Sequence, residues 1–408
     1  MPDLPPTLCA SPGLRLRTEY FGALGWTIVP RRIFHLGPTA TVLAMLYQQP
    51  RSTTLCPDAL QVVQRRFAFS ASAVMGTLEE LHTSGVLRAT AAEPQPVTAD
   101  DVHQAADEAE TTRPRTKVLK PFWVHLQPFT RCNQHCVTCY CSGGPKADPF
   151  LLSPADWLTA IDKLDAYGVL DVYITGGESL LYPAFFDLAE HILRRGLGFG
   201  LSTNATILGG GRLERLRNLG YSPIQVSLDG GTPATHEMIR GVPGCWNKTL
   251  DGIRVIGEFA EVVINTVVNH INLRELEQVV VTGMDLGVRH FKFFPQKPVG
   301  RANPATTLDD ATITQTLLPE CVRLADRYDV EIESIDPKAG CGSGSIGFAV
   351  DQRANIHPCI FGVENPDLVA GNLLTDDLDT VWFQSPVFAP FRGEVATVCR
   401  RCEAPCGR

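Results

Sequence analysis

Cys132-Asn133-Gln134-His135-Cys136-Val137-Thr138-Cys139-Tyr140-Cys141 follows closely on residues 122–127, an apolar run of strand length. Three thiolates spaced C-x3-C-x2-C on one tight loop can hold three corners of a cubane iron–sulfur cluster. Structural zinc is the competing occupant, but it takes four ligands closing a tetrahedron, commonly from two C-x2-C pairs. Cys141 is the nearby fourth thiol, two residues from Cys139, on a strained spacing for the same metal. A cluster with three protein ligands leaves one iron open, which is useful only to a substrate or cofactor that binds there.

Outward from this loop the chain alternates strand-like and helix-like stretches. Residues 122–127, 171–175, 198–203, 224–228, 262–268 and 291–294 read as strands. Between them lie amphipathic stretches, the first opened by Ser153-Pro154 and closed by Gly168, then 184–193, 213–219, 249–259 and 273–286. Six β/α units in succession imply a parallel sheet with right-handed crossovers, closed or nearly closed into a barrel. In such barrels chemistry sits at the C-terminal ends of the strands. Those ends carry Thr175-Gly176-Gly177-Glu178, Ser202-Thr203-Asn204 and Ser227-Leu228-Asp229-Gly230, with Arg240 further on.

A cysteine loop of this spacing after the first strand, with these strand ends, resembles the radical S-adenosylmethionine (SAM) superfamily. The resemblance implies an α/β fold, a partial (β/α)6 TIM-like barrel. It implies a [4Fe–4S] cluster on Cys132, Cys136 and Cys139, with the open iron taking SAM. Gly176, Gly177 and Glu178 are then expected at the SAM amino group. Ser202, Asn204, Ser227, Asp229 and Arg240 are expected at its ribose and carboxylate. Thr138 stands where the family has an aromatic residue or His, which leaves Tyr140 or backbone groups to pack on adenine. The implied chemistry is reductive cleavage of SAM to methionine and a 5′-deoxyadenosyl radical that takes a hydrogen atom from an unactivated carbon, with an external donor such as flavodoxin or ferredoxin supplying the electron.

The tail carries Cys341, Cys359, Cys399, Cys402 and Cys406. Their spacing resembles the SPASM and shortened twitch extensions of radical SAM peptide-modifying enzymes. Cys341, Cys359, Cys399 and Cys402 can close an auxiliary [4Fe–4S] cluster, with Cys406 a spare, a substitute ligand or part of a second site; a zinc ribbon on the same four is the alternative. Cys9, Cys56 and Cys321 read as small buried residues. Cys245, at the expected active-site rim, is a candidate hydrogen-atom donor weighed against a buried thiol.

Residues 1–90 combine a hairpin-like stretch (14–34, interrupted at Gly22 and Gly25), three helical patterns and a closing Val86-Leu87, the order of a winged helix. This segment resembles the pyrroloquinoline-quinone-chaperone type of domain, which implies recognition of the leader of a ribosomally made precursor peptide. Residues 91–117, polar, acidic and bounded by prolines, read as a linker with a short helix over 99–110. The barrel is then expected over 118–308 and the auxiliary-cluster region over 309–408.

Composition closes off other classes. The 408 residues suit two or three domains, and 44% hydrophobic with 20% charged residues is enough to bury a full core. A formal net charge of −8, and only eight Arg and no Lys over residues 1–90, argue against nucleic-acid binding. No apolar run approaches the roughly 18 residues that span a bilayer. Thirteen cysteines, odd in number and clustered, suit reduced thiols in a cytoplasm holding metal.

The expected activity is radical SAM modification of a bound precursor peptide, foremost oxidative cross-linking through a thioether, carbon–carbon or carbon–oxygen bond. Epimerisation, decarboxylation and a sulfatase-maturase type of reaction remain as alternatives. Outside enzymes, the competing reading is a DNA-binding winged helix regulated by zinc or redox state. Isolated His35, His82, His125 and His290 read as structural, Phe291, Phe293 and Phe294 as core, and Arg301 equally as a SAM neighbour or a surface ion pair.

Overall fold

The computed structural model describes residues 4–12, 14–19, 22–28, 31–36, 38–67, 71–111, 120–146, 152–221, 223–334 and 343–391. The chain divides into two compact units, Met1–Leu119 and Lys120–Arg408.

In the first unit, strands Arg15–Glu19, Gly22–Ile28 and Arg31–Leu36 form an antiparallel meander. Gly22 and Gly25, read as an interruption, lie inside its central strand. A second small sheet pairs Thr7–Ala10 with Arg51–Ser52 and Leu87–Ala89. Helices Pro38–Leu46, Pro57–Phe67 and Ala71–Thr83 supply a core of Val42, Leu43, Val63, Val74 and Leu78, joined by Tyr47 just past the first helix. Cys56 is half-buried rather than core: its thiol donates to Val97 O at 3.0 Å and accepts the Ala59 N–H at the helix start.

The expected linker contains part of that core. Val97, Val102, Ala105 and Ala106 are fully or almost fully buried in it, the last three on helix Ala99–Thr111. A reciprocal cap between Thr98 and Asp101 starts this helix, and Arg51 pairs with Asp101 at 3.0 Å. A run of acidic residues thus hides an apolar stripe, and the stripe is what docks.

The second unit is built on one ten-stranded sheet. Its strands are β1 (Trp123–Leu126), β2 (Asp171–Ile174), β3 (Gly198–Thr203), β4 (Ile224–Ser227), β5 (Val262–Val268), β6 (His290–Pro295), β7 (Glu331–Ser334), β8 (Gly347–Val350), β9 (Asn355–His357) and β10 (Gly371–Asn372). The order is β7-β6-β5-β4-β3-β2-β1-β8-β9-β10, parallel from β7 through β8 and antiparallel beyond. Among the described residues the ladder stays open, ending at β7 and β10, as in a partial barrel. The parallel sheet also runs past residue 308, taking in β7 and β8 from the stretch assigned to the auxiliary-cluster region.

Helices α1 (Pro154–Tyr167), α2 (Phe185–Arg194), α3 (Arg212–Asn218), α4 (Pro233–Arg240), α5 (Cys245–Gly257) and α6 (Leu276–Asp285) connect the strands. Ser153 and Asp156 form a capping box at the start of α1, and Gly168 ends it at φ 92°. Strand residues alternate in their surroundings. Val124, Leu126, Val172, Ile174, Leu201 and Val226 join helix residues such as Trp157, Ile161, Phe185 and Ile192 in one core. The intervening positions, His125, Ser202, Ser227, Asn265 and Val267, face a cavity.

Candidate active site

The cavity occupies about 330 Å³ at the C-terminal ends of β1 to β6. The cysteine loop forms one wall and its backbone is fastened from several sides. Cys132 N–H donates to Gly144 O at 2.7 Å, while His135 and Val137 N–H donate to Arg240 O and Ile239 O at the end of α4. From the turn after β2, Gly177 and Glu178 N–H reach Phe129 O and Arg131 O at 3.2 and 3.0 Å.

The glycines of that turn serve the loop. A Cβ on Gly176 would run into Phe129 O, and one on Gly177 into Arg131 O. Gly176 also sits at φ 121°, where side chains are strained. The sequence suggested that these glycines admit a ligand; in the structure their first task is to admit the cysteine loop.

Cys132, Cys136 and Cys139 line the cavity, with Cys132 Sγ accepting the Gln134 N–H at 3.4 Å and Cys139 Sγ the Gly143 N–H at 3.3 Å. Cys141 Sγ lies 3.7 Å from Cys139 Sγ and donates to Gly176 O; it is buried and outside the cavity lining. Burial pushes the Cys132 thiol up to about 12 and also raises Cys136. The hydrogen bond from Cys141 outweighs burial at Cys139 and lowers it. Thiolates are costly in so dry a wall unless a cation meets them, which is the environment a metal cluster compensates.

All nine residues expected at SAM line this cavity: Tyr140, Gly176, Gly177, Glu178, Ser202, Asn204, Ser227, Asp229 and Arg240. Several also bind one another. Glu178 is 2% exposed and accepts from Thr203 Oγ1 (2.7 Å), Asn204 N–H (2.8 Å) and Leu180 N–H (3.2 Å). With up to four lone-pair sites on a carboxylate, one remains for a ligand, so Glu178 first of all fixes the end of β3. Asn204 likewise donates to Asn133 Oδ1 at 2.8 Å and accepts from Thr206, tying β3 to the cysteine loop.

Arg240 and Asp229 form a buried ion pair of 2.8 Å, and Arg240 Nη1 lies 3.7 Å from Cys136 Sγ. Asp229 also accepts the Val267 N–H, and its own N–H donates to His236 Nδ1. Arg240 Nε is buried without a partner among the described residues, as are Gln134 Nε2 and His125 Nδ1. Three thiols with unpartnered donors around them form a donor set that suits a cluster carrying a small anionic or carboxylate-bearing ligand.

Part of the lining is apolar and includes residues from the C-terminal part. Phe294, Pro295, Ile360 and Phe361 form it, and Phe361 meets the Tyr140 ring edge-on at 5.7 Å. The Tyr140 hydroxyl hydrogen-bonds Thr175 Oγ1 at 3.1 Å. Cys359 is buried beside Ile360, whereas Cys341, Cys399, Cys402 and Cys406 lie outside the described residues.

Sequence reasoning assigned His125, Phe294, Ile360 and Phe361 no place at the site. Strand parity reveals two of them: Phe291 and Phe293 point into the core, so Phe294 points to the cavity, and His125 sits between the buried Val124 and Leu126. Cys245 is a buried thiol at the start of α5, outside the lining, and burial pushes it up to about 11. Arg301 is neither a surface ion pair nor part of the lining: its side chain donates to Cys136 O and Gly143 O in the cysteine loop. Among the described residues no helix is long and apolar enough to cross a membrane.

The radical SAM superfamily model matches residues 126–281, and that of the SPASM iron–sulfur cluster-binding domain matches residues 341–403. The chain thus carries a radical SAM domain and a C-terminal SPASM domain; its cofactors are a [4Fe–4S] cluster, SAM and auxiliary iron–sulfur. Among its relatives, the AdoMet-dependent heme synthase of Methanosarcina barkeri is 26% identical over 304 residues, 67% of this chain and 85% of that protein. The sporulation killing factor maturation protein SkfB of Bacillus subtilis is 28% identical over 273 residues, 63% of this chain and 64% of SkfB. In fold, the chain is similar to Streptococcus suis SuiB bound to its precursor peptide SuiA, with a TM-score of 0.72 and 16% identity over 96% of this chain and 94% of SuiB.

Proposed function

We propose that this chain is a peptide maturase. It takes up a ribosomally made precursor peptide and modifies one of its residues oxidatively, foremost by forming a cross-link. The observation that carries this reading is the pairing of the SAM-type cavity with a separately cored N-terminal unit. That unit contains an antiparallel meander, which offers edges for strand addition by an extended leader. The likeness to SuiB extends over both units, whereas the match to the heme synthase covers 67% of the chain.

In this reading Cys132, Cys136 and Cys139 hold the SAM cluster. Cys341, Cys359, Cys399 and Cys402 hold the auxiliary cluster, with Cys406 available to it. When bound, the SAM cluster and SAM together supply one-electron cleavage of the sulfonium and, from it, a hydrogen-atom abstractor. The protein's own work is placement and exclusion. Arg240 offers its unpartnered Nε to the cofactor carboxylate, and Asp229 keeps that guanidinium charged and fixed. Ser202 and Ser227 face the ribose, while Tyr140, Phe294, Ile360 and Phe361 keep water and stray hydrogen donors from the reacting carbon. In cross-linking the substrate would lose its first electron with the abstracted hydrogen atom and its second to the auxiliary cluster, while a flavodoxin or ferredoxin would supply the separate electron that cleaves the sulfonium, in a cytoplasmic setting.

The test is anaerobic reconstitution followed by dithionite and SAM. Brown protein is expected, releasing 5′-deoxyadenosine with stimulation by its precursor peptide, and Cys136→Ser is expected to abolish that release. A colourless, zinc-loaded protein that releases none overturns the reading, and stimulation by a porphyrin rather than by the peptide overturns the substrate class.

A further inference from the structure

Arg301 follows β6 and reaches back to the cysteine loop three times. Its backbone N–H donates to Cys139 O at 2.9 Å, Nε donates to Cys136 O at 3.0 Å, and Nη2 donates to Gly143 O at 2.6 Å. Gly143 in turn gives its N–H to Cys139 Sγ at 3.3 Å. One residue therefore fixes the carbonyls of the second and third cysteines and the residue that solvates the third. The approach is so close that Gly300, at φ 60°, has no room for a side chain: a Cβ there would run into Cys139 O and Tyr140 O.

The charge is as specific as the geometry. Arg240, the other guanidinium near the thiols, is neutralised by Asp229 at 2.8 Å. Among the described residues no carboxylate forms an ion pair with Arg301; Glu364 feels its field without reaching ion-pair distance. A cluster on this loop gains a negative charge when reduced, and a fixed, half-buried cation with no ion-pair partner among the described residues stabilises the reduced form.

We propose that Arg301 is a positioning residue that locks the cysteine loop and raises the reduction potential of the cluster held by Cys132, Cys136 and Cys139. This rests on the cluster assignment made above. Two variants of the full-length holoprotein separate the parts: Arg301→Gln keeps amide donors and loses the charge, while Arg301→Lys keeps the charge and loses the fork. The readouts are iron content after reconstitution and the midpoint potential of the paramagnetic signal that changes on adding SAM. Arg301→Gln is expected to be about tenfold harder to reduce, a negative shift of about 59 mV for one electron. Arg301→Lys is expected to keep its midpoint and load less iron. Wild-type midpoint and iron content in both variants overturn the proposal while leaving the functional reading intact. If the wild type shows no signal that responds to SAM, the cluster assignment fails and this inference goes with it.

Discussion

His125 and His236 are imidazoles that burial keeps neutral, the first down to about 4 and the second to about 3, with Arg240 adding to the effect at His236. Between the ordinary histidine value near 6.5 and these lowered ones, the unfolded chain binds protons that the folded chain refuses. Stability therefore falls as pH drops through that window. His125→Gln removes one such group without breaking a hydrogen bond among the described residues. Its stability loss on going from pH 6.5 to 5 should be smaller than that of the wild type by up to roughly 2 kcal/mol, read from urea unfolding at both values. An identical loss in both proteins would show that the ring is already hydrated or charged. At this scale the thiols and strand-end polar residues were legible because their types are rare and their spacing specific. Glu178 and Asn204 line the cavity, but their partners were not legible, since Thr203, Asn133 and Leu180 become neighbours only through the fold.

The turn after β2 and the cysteine loop hold each other backbone to backbone, so the element is sensitive where the sequence looks bland. Gly177→Ala forces a methyl group against Arg131 O and should lower iron loading after reconstitution, with far-ultraviolet circular dichroism unchanged. Gly209→Ala, with nothing within 4 Å of the added carbon, is the silent control. Equal iron in the two variants would mean that the loop adjusts freely. Strands β1 to β6 were readable from apolar runs between helical periods. The helix α4 was missed because three of its four buried residues, Thr235, His236 and Arg240, are polar, leaving only Thr232 capping ahead of Pro233 to mark it. β7 and β8 were missed because Glu-Ile-Glu-Ser and Gly-Phe-Ala-Val are too short to show a period, and only sheet pairing defines them.

For the whole molecule, composition misled at one place. The acidic stretch after residue 91 looks like a free tether, yet Val102 is 0% exposed in the N-terminal core. Val102→Asp should therefore cost several kcal/mol and lower the unfolding temperature of that unit, as monitored by calorimetry of the full chain. A free tether would absorb the change without effect. The C-terminal part illustrates another limit, because its cysteine spacing was readable whereas its role in completing the main sheet was not: β8 pairs in parallel with β1. That pairing sets a timetable. As the ribosome delivers the chain, β1 emerges 224 residues before β8, an interval of about 10–45 s at ordinary elongation rates. Until then one flank of the first strand is bare, inviting a neighbour's strand in its place. Slower growth temperatures and generous chaperone supply should raise the recovered yield for this reason, independently of how much iron the cell provides.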